Sequence, residues 1–177
     1  ATFWAHKNHN FIIEAAKVMV KDNNNDFHFV MTGSDRGNFS HILKLINSEN
    51  LQNYITMLPL ISNFLLKKLY EECFAVIMPT DAGPTNLPLY EAMFFKKPIF
   101  YSDKMNNDQE LKKIIFSIDL SDVHSFLEKL YNINNDDIKT KTMKGYDYYN
   151  KFCTKESLYS NYKLIIDEFI KQYSKWN

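Results

Sequence analysis

The sequence predicts an α/β fold: a parallel sheet with helices on both faces and extra helices at the C-terminal end. Three observations carry this. Short apolar, β-prone runs alternate with longer stretches of helical periodicity. The chain has 177 residues, 45% of them apolar and 15% aromatic, enough for one domain with a real core. After Asp119 the alternation stops and the pattern is wholly helical.

Asn10 to Lys21 reads as a helix with Ile12, Ala15, Ala16 and Met19 on one face. Phe27 to Met31 is a compact strand ending at Thr32-Gly33, and His28 within it reads as packed. Phe39 to Asn47 is helical, with Ile42, Leu45 and Ile46 inward. Tyr54 to Leu58 is a short strand. Ser62 has the chemistry of an N-cap for a helix carrying Leu65, Leu66, Leu69 and Tyr70. Phe74 to Met78 is an apolar run of the type buried on both faces. Leu87 to Phe95 is helical, Pro98 to Tyr101 is a strand, and Ile114 to Ile118 is the last strand. Val123 to Tyr131, Asp137 to Phe152 and Lys155 to Tyr173 are helices. Gly145 is a weak point in the second of these. The third carries Leu158, Tyr162, Ile165 and Phe169 on one stripe. Strands and helices alternating at these lengths imply right-handed β-α-β units.

Lys and Arg total 21, Asp and Glu total 21, and the formal net charge is zero. This balance gives no call for nucleic acid or an anionic membrane as partner. Apolar stretches are far shorter than the roughly 20 residues that span a bilayer. The opening residues show no signal-peptide pattern. Cys73 and Cys153 belong to no paired motif and read as buried, reduced thiols of a cytoplasmic protein. Without an initiator methionine, the chain is expected to be a fragment of a longer protein.

In a parallel sheet, ligands sit beyond the C-terminal strand ends, so the loops after Met31, Leu58, Met78 and Tyr101 are the ones that count. Three of the four glycines, Gly33, Gly37 and Gly83, lie in loops following predicted strands. An ordinary turn accounts for Gly37; Gly33 is equally readable as a turn or as a point of ligand approach. The segment Pro79-Thr-Asp-Ala-Gly-Pro-Thr-Asn-Leu-Pro-Leu-Tyr-Glu91 holds three of the five prolines and is stiff. Thr85 and Asn86 are capping types, and Pro88 fits a first helical turn. A helix starting at about Leu87 would turn its free N–H groups and positive dipole end toward this loop, making an anion site. Glu91 lies one turn into that helix. A capping box is a poor account of it, because the partner position is Pro88. It is either a solvated or structural glutamate, or a carboxylate accepting from a ligand's hydroxyl pair. Lys7, in His6-Lys7-Asn8-His9, is either a surface lysine or a point charge for phosphate. His6 and His9 have no companions at ligand spacing, so no metal site is expected. The loop Thr32-Gly-Ser-Asp-Arg-Gly37 lacks dinucleotide-fingerprint spacing, and no P-loop or nucleophile elbow is present.

Phe3-Trp-Ala-His-Lys-Asn-His9, Met31-Thr-Gly-Ser-Asp35, Pro79-Thr80 and Gly83-Pro-Thr-Asn-Leu-Pro-Leu-Tyr-Glu-Ala92 together resemble glycosyltransferase family 4, the glycosyl transferases group 1. The order and spacing match its C-terminal domain over nearly the whole chain. The resemblance implies a GT-B fold, in which two Rossmann-like domains face each other across a cleft and the C-terminal one binds the nucleotide sugar. It implies that residues 1–177 are this single donor-binding domain, with its first strand and the N-terminal acceptor domain outside the chain. By motif, Lys7 would contact the donor diphosphate and Gly33 would line the pocket. Thr85, Asn86 and Leu87 would cradle phosphate. Thr80, Gly83 and Pro84 would complete the donor site, and Glu91 would hold the ribose hydroxyls. Lys7 and Glu91 are thus the residues placed in the catalytic machinery.

Many members have a glutamate where this chain has Gly83, and an arginine shortly before the lysine that has no counterpart here. The implied reaction is a retaining transfer without metal or other cofactor, from a nucleotide-sugar donor to a glycan or lipid-linked acceptor. The acceptor would be bound by the missing domain, through which peripheral association with the inner face of the membrane is also expected. The fragment alone is expected to be inactive, and its last helix to pack partly against the missing domain. A nucleotide-sugar 2-epimerase of the same architecture, and a non-catalytic interaction module, are the competing readings.

Overall fold

The computed structural model describes residues 2–24, 26–82, 87–105 and 108–174. A 3-10 turn, Ala5–Lys7, opens the chain and ends at Asn8, whose left-handed backbone (φ 50°) turns it into helix α1, His9–Lys21. Asn tolerates that conformation better than most residues, which is what the Lys-Asn-His sequence supplies here. Strand β1 (Phe29–Thr32), helix α2 (Phe39–Ser48) and strand β2 (Ile55–Leu58) form a β-α-β unit with parallel register, Phe29 opposite Ile55. Helix α3 (Asn63–Glu72) then leads to β3 (Val76–Met78). The Ser62 side chain caps α3 by accepting from the Leu65 N–H, as its position predicted, a bond worth about 1 kcal/mol.

Helix α4 (Leu87–Phe94), strand β4 (Ile99–Ser102), the short α5 (Gln109–Lys112) and β5 (Phe116–Ile118) complete a second parallel sheet, in the order β3-β4-β5. Three helices follow: α6 (Val123–Tyr131), α7 (Asn135–Phe152) and α8 (Lys155–Tyr173). Side chains of Asp122, Asn134 and Thr154 cap their N-termini.

Alternation along the strands sends side chains to two cores. Phe100 joins Phe11, Met19, Ile42, Ile118 and Phe126 on one face, under α1, α2 and α6. Ile99 and Tyr101 join Leu89, Met93 and Ile115 on the other, under α4, with Tyr148 and Tyr149 of α7 packed against them. Strand β4 is buried along its whole length, which places it inside the sheet with helices on both faces, as predicted.

Some local expectations are corrected. His28 is not packed within a strand. It precedes β1 and is exposed, its ring bonded to the Asn53 carbonyl and the Thr56 hydroxyl. The last strand begins at Phe116, and Ile114 and Ile115 are buried just before it. Gly145 is no weak point: it is buried against Ile114 and Met93, and a Cβ there would lie 3.0 Å from the Ile114 methyl. The apolar stripe expected on α8, by contrast, is present and exposed, from 43% at Leu158 to 67% at Phe169.

Candidate functional site

The two β-α-β halves diverge from a centre between β1 and β3. Helix α2 leads outward to β2, and α4 leads outward to β4. A crevice at such a divergence, outside the C-terminal strand ends, is where open α/β sheets bind ligands. Three predicted site elements meet there. Lys7, Thr80 and Pro88 line one cavity, bringing the turn before α1, the end of β3 and the first turn of α4 together. The His6 carbonyl accepts from the Asp81 N–H at 2.9 Å, tying the Lys7 turn to the loop after β3.

Thr80 is buried at 2% exposure. Lys7 is half-buried, and that burial lowers its pKa. Desolvation disfavours its charge, and an anion placed beside it would favour the charged form. His9 is stacked on Phe3, with ring centroids 4.7 Å apart. Burial above all pushes its pKa down to about 4, and the Lys7 charge lowers it further. The ring is therefore neutral at pH 7.

Gly33 is half-buried, directly after β1, and Leu87 is exposed at the start of α4. The predicted residues Gly83, Pro84, Thr85 and Asn86 lie outside the described residues. Glu91 is half-buried, and its Oε2 accepts a 2.6 Å hydrogen bond from the Tyr70 hydroxyl on α3. Tyr70 in turn lies parallel to Phe95, with centroids 5.2 Å apart and planes at 3°. Burial first, then the Glu91 carboxylate, push the Tyr70 pKa well above its ordinary value. The phenol is thus a hydrogen-bond donor at any physiological pH.

Sequence reasoning missed Tyr70, Arg36 and Lys104. Lys104 follows β4 and pairs with Asp81 at 3.0 Å, while Arg36 follows β1 and lies over the Trp4 ring at 6.0 Å. Both cations sit in loops after parallel strands, so the strand-end rule was the signal that could have found them. Among the described residues, no three His, Cys, Asp or Glu side chains are grouped as metal ligands. No described helix is long and apolar enough to cross a membrane.

The sequence profile of the family Glycosyl transferases group 1 matches residues 1–151. The chain belongs to this family. Among curated sequences, none matches the chain. Solved structures agree on the fold. A glycosyltransferase from Rickettsia africae ESF-5 superposes with a TM-score of 0.80 at 16% identity, over 97% of this chain and 46% of that one. Sucrose-phosphate synthase from Thermosynechococcus elongatus gives 0.78 at 14% identity, over 96% and 44%. The pneumococcal O-GlcNAc transferase GtfA, solved with UDP and GlcNAc, gives 0.74 at 17% identity, over 96% and 34%. The chain thus spans less than half the length of these three proteins and has the fold of a GT-B C-terminal domain.

Proposed function

We propose that this chain is the donor-binding domain of a family 4 glycosyltransferase and holds a nucleoside diphosphate sugar in the crevice between Lys7 and the start of α4. The supporting observation is the convergence of Lys7, Thr80 and Pro88 on one cavity, with Glu91 one turn further along the same helix. The reaction problem is the negative charge that builds on the leaving diphosphate as the glycosidic bond breaks. A cation and the N-terminal end of a helix, both fixed before the reaction, stabilise that charge without reorganising. Lys7 supplies the cation, and α4 supplies the helix end. Glu91, held at Oε2 by Tyr70, presents its other oxygen to the ribose hydroxyls. Gly33, Thr80, Gly83, Pro84, Thr85, Asn86 and Leu87 shape the pocket around the phosphates and sugar.

On this reading the transfer is retaining and needs no metal or other cofactor. Lys7 and the helix end carry the charge that a cation would otherwise neutralise. Gly83 offers no carboxylate where many relatives have one, so the donor sugar is held by other groups. The acceptor, a glycan or lipid-linked saccharide, binds to the facing domain of the longer protein. That domain also provides any contact with the inner face of the membrane. UDP is the first donor nucleotide to test, since the pneumococcal relative was solved with it.

Replacing Lys7 with Ala in the full-length enzyme is expected to lower kcat about tenfold or more. Steady-state kinetics with the cognate donor checks this, with circular dichroism to confirm that the variant is folded. Unchanged kcat and kcat/KM would remove Lys7 from the reaction.

A further inference from the structure

Strands β3 and β4 lie side by side and parallel, with Met78 opposite Tyr101 near their C-terminal ends. Three residues beyond that pair, Asp81 and Lys104 meet from the loops that follow, with Lys104 Nζ 3.0 Å from Asp81 Oδ1. Both side chains are exposed, Asp81 at 42% and Lys104 at 59%. An ion pair as open as this adds little to stability. Its place is what is informative.

That place is the rim of the crevice, beyond the C-terminal strand ends. Thr80, the residue before Asp81, is buried in the crevice wall. Asp81 donates its backbone N–H to the carbonyl of His6 at 2.9 Å, and His6 precedes Lys7. One peptide bond thus joins Asp81 to the wall, and one hydrogen bond joins it to the turn that carries Lys7. In a nucleoside diphosphate sugar, the sugar is bonded to the phosphate farther from the nucleoside. With the diphosphate beside Lys7, the sugar meets the groups that border the Lys7 turn from outside.

The chemistry of the pair suits a sugar. A hydroxyl both donates and accepts hydrogen bonds; the Asp81 carboxylate accepts, and the Lys104 ammonium donates. Bonds to charged partners are the stronger kind. A lone carboxylate here would repel the diphosphate. Lys104 offsets that repulsion, because the two opposite charges together carry no net charge.

We infer that Asp81 and Lys104 form the subsite for the sugar of the donor, holding neighbouring hydroxyls of a neutral pyranose and helping to select which sugar is transferred. This rests on the donor reading given above. It also predicts a bias against uronic acids, whose own carboxylate would be repelled by Asp81.

Titration calorimetry on the full-length protein tests the inference. The probes are uridine, guanosine and adenosine diphosphates and the glucose, galactose, mannose and N-acetylglucosamine conjugates of each. Asp81→Asn keeps the side-chain shape and the backbone bond to His6, and removes the charge. With Lys104 left uncompensated, the variant is expected to bind the diphosphate at least as tightly as the parent does. The affinity for the sugar conjugate, taken relative to that for the diphosphate, is expected to fall about tenfold, as for the loss of a hydrogen bond to a charged group. An unchanged ratio would overturn the inference and leave a surface ion pair. If the parent binds no diphosphate at all, the donor reading itself falls, and the inference with it.

Discussion

The Glu91 carboxylate can serve a ligand only if something fixes its direction, and Tyr70 is that group. Its phenol donates to Oε2 at 2.6 Å, and its ring is held independently by the parallel Phe95. Tyr70→Phe removes the donor and keeps the ring. The loss of one hydrogen bond to a charged acceptor should weaken nucleotide binding by roughly tenfold, in line with 1.5–3 kcal/mol for such bonds. The melting temperature should fall only by the several degrees that losing one such bond costs, because the stack survives. Titration calorimetry against thermal unfolding separates the two effects. An unchanged affinity would mean that Tyr70 only packs. Nothing in the sequence announces this pair: the two residues are 21 positions apart, and only the docking of α3 beside α4 brings them together.

The strands were readable because each is an apolar, β-prone run bounded by turn residues or a helix. The helices α6 and α8 were readable from their apolar periodicity, and in the structure Asp122 and Thr154 cap their N-termini. Shorter elements were not. The Ala5–Lys7 turn and the four-residue α5 are too brief to show a period. Gly145 shows the opposite failure, a local rule overridden by packing. Propensity alone favours alanine there by about 1 kcal/mol. In the structure, Gly145 lets α7 approach α4, and an added Cβ would meet Ile114 Cγ2 at 3.0 Å and Met93 Cγ at 3.3 Å. Gly145→Val should therefore destabilise the protein by about 1–3 kcal/mol, the usual cost of overpacking a filled core. Denaturant unfolding would show it as a lower midpoint. A variant as stable as the parent would return Gly145 to the role of a mere helix interruption.

At the scale of the whole molecule, function follows from topology. Two β-α-β halves diverge from one centre, and that centre gathers Lys7, Thr80 and the start of α4 although they are far apart in sequence. The alternation of strands and helices made the crevice foreseeable, and the proline-rich stretch before Leu87 pointed to the corner where we propose that an anion binds. The same alternation said nothing of Arg36 or Lys104, which rank as ordinary surface charges until the fold places them at strand ends. With zero net charge, attraction for a diphosphate must come from this local arrangement and not from the overall field. The most direct measurement is titration calorimetry of uridine, guanosine and adenosine diphosphates into the full-length protein and its Glu91→Ala variant. The account predicts that one of the three binds the parent and that the variant binds it at least about tenfold more weakly, a loss of 1.4 kcal/mol or more. Binding of none of them, or equal affinity in parent and variant, would contradict it.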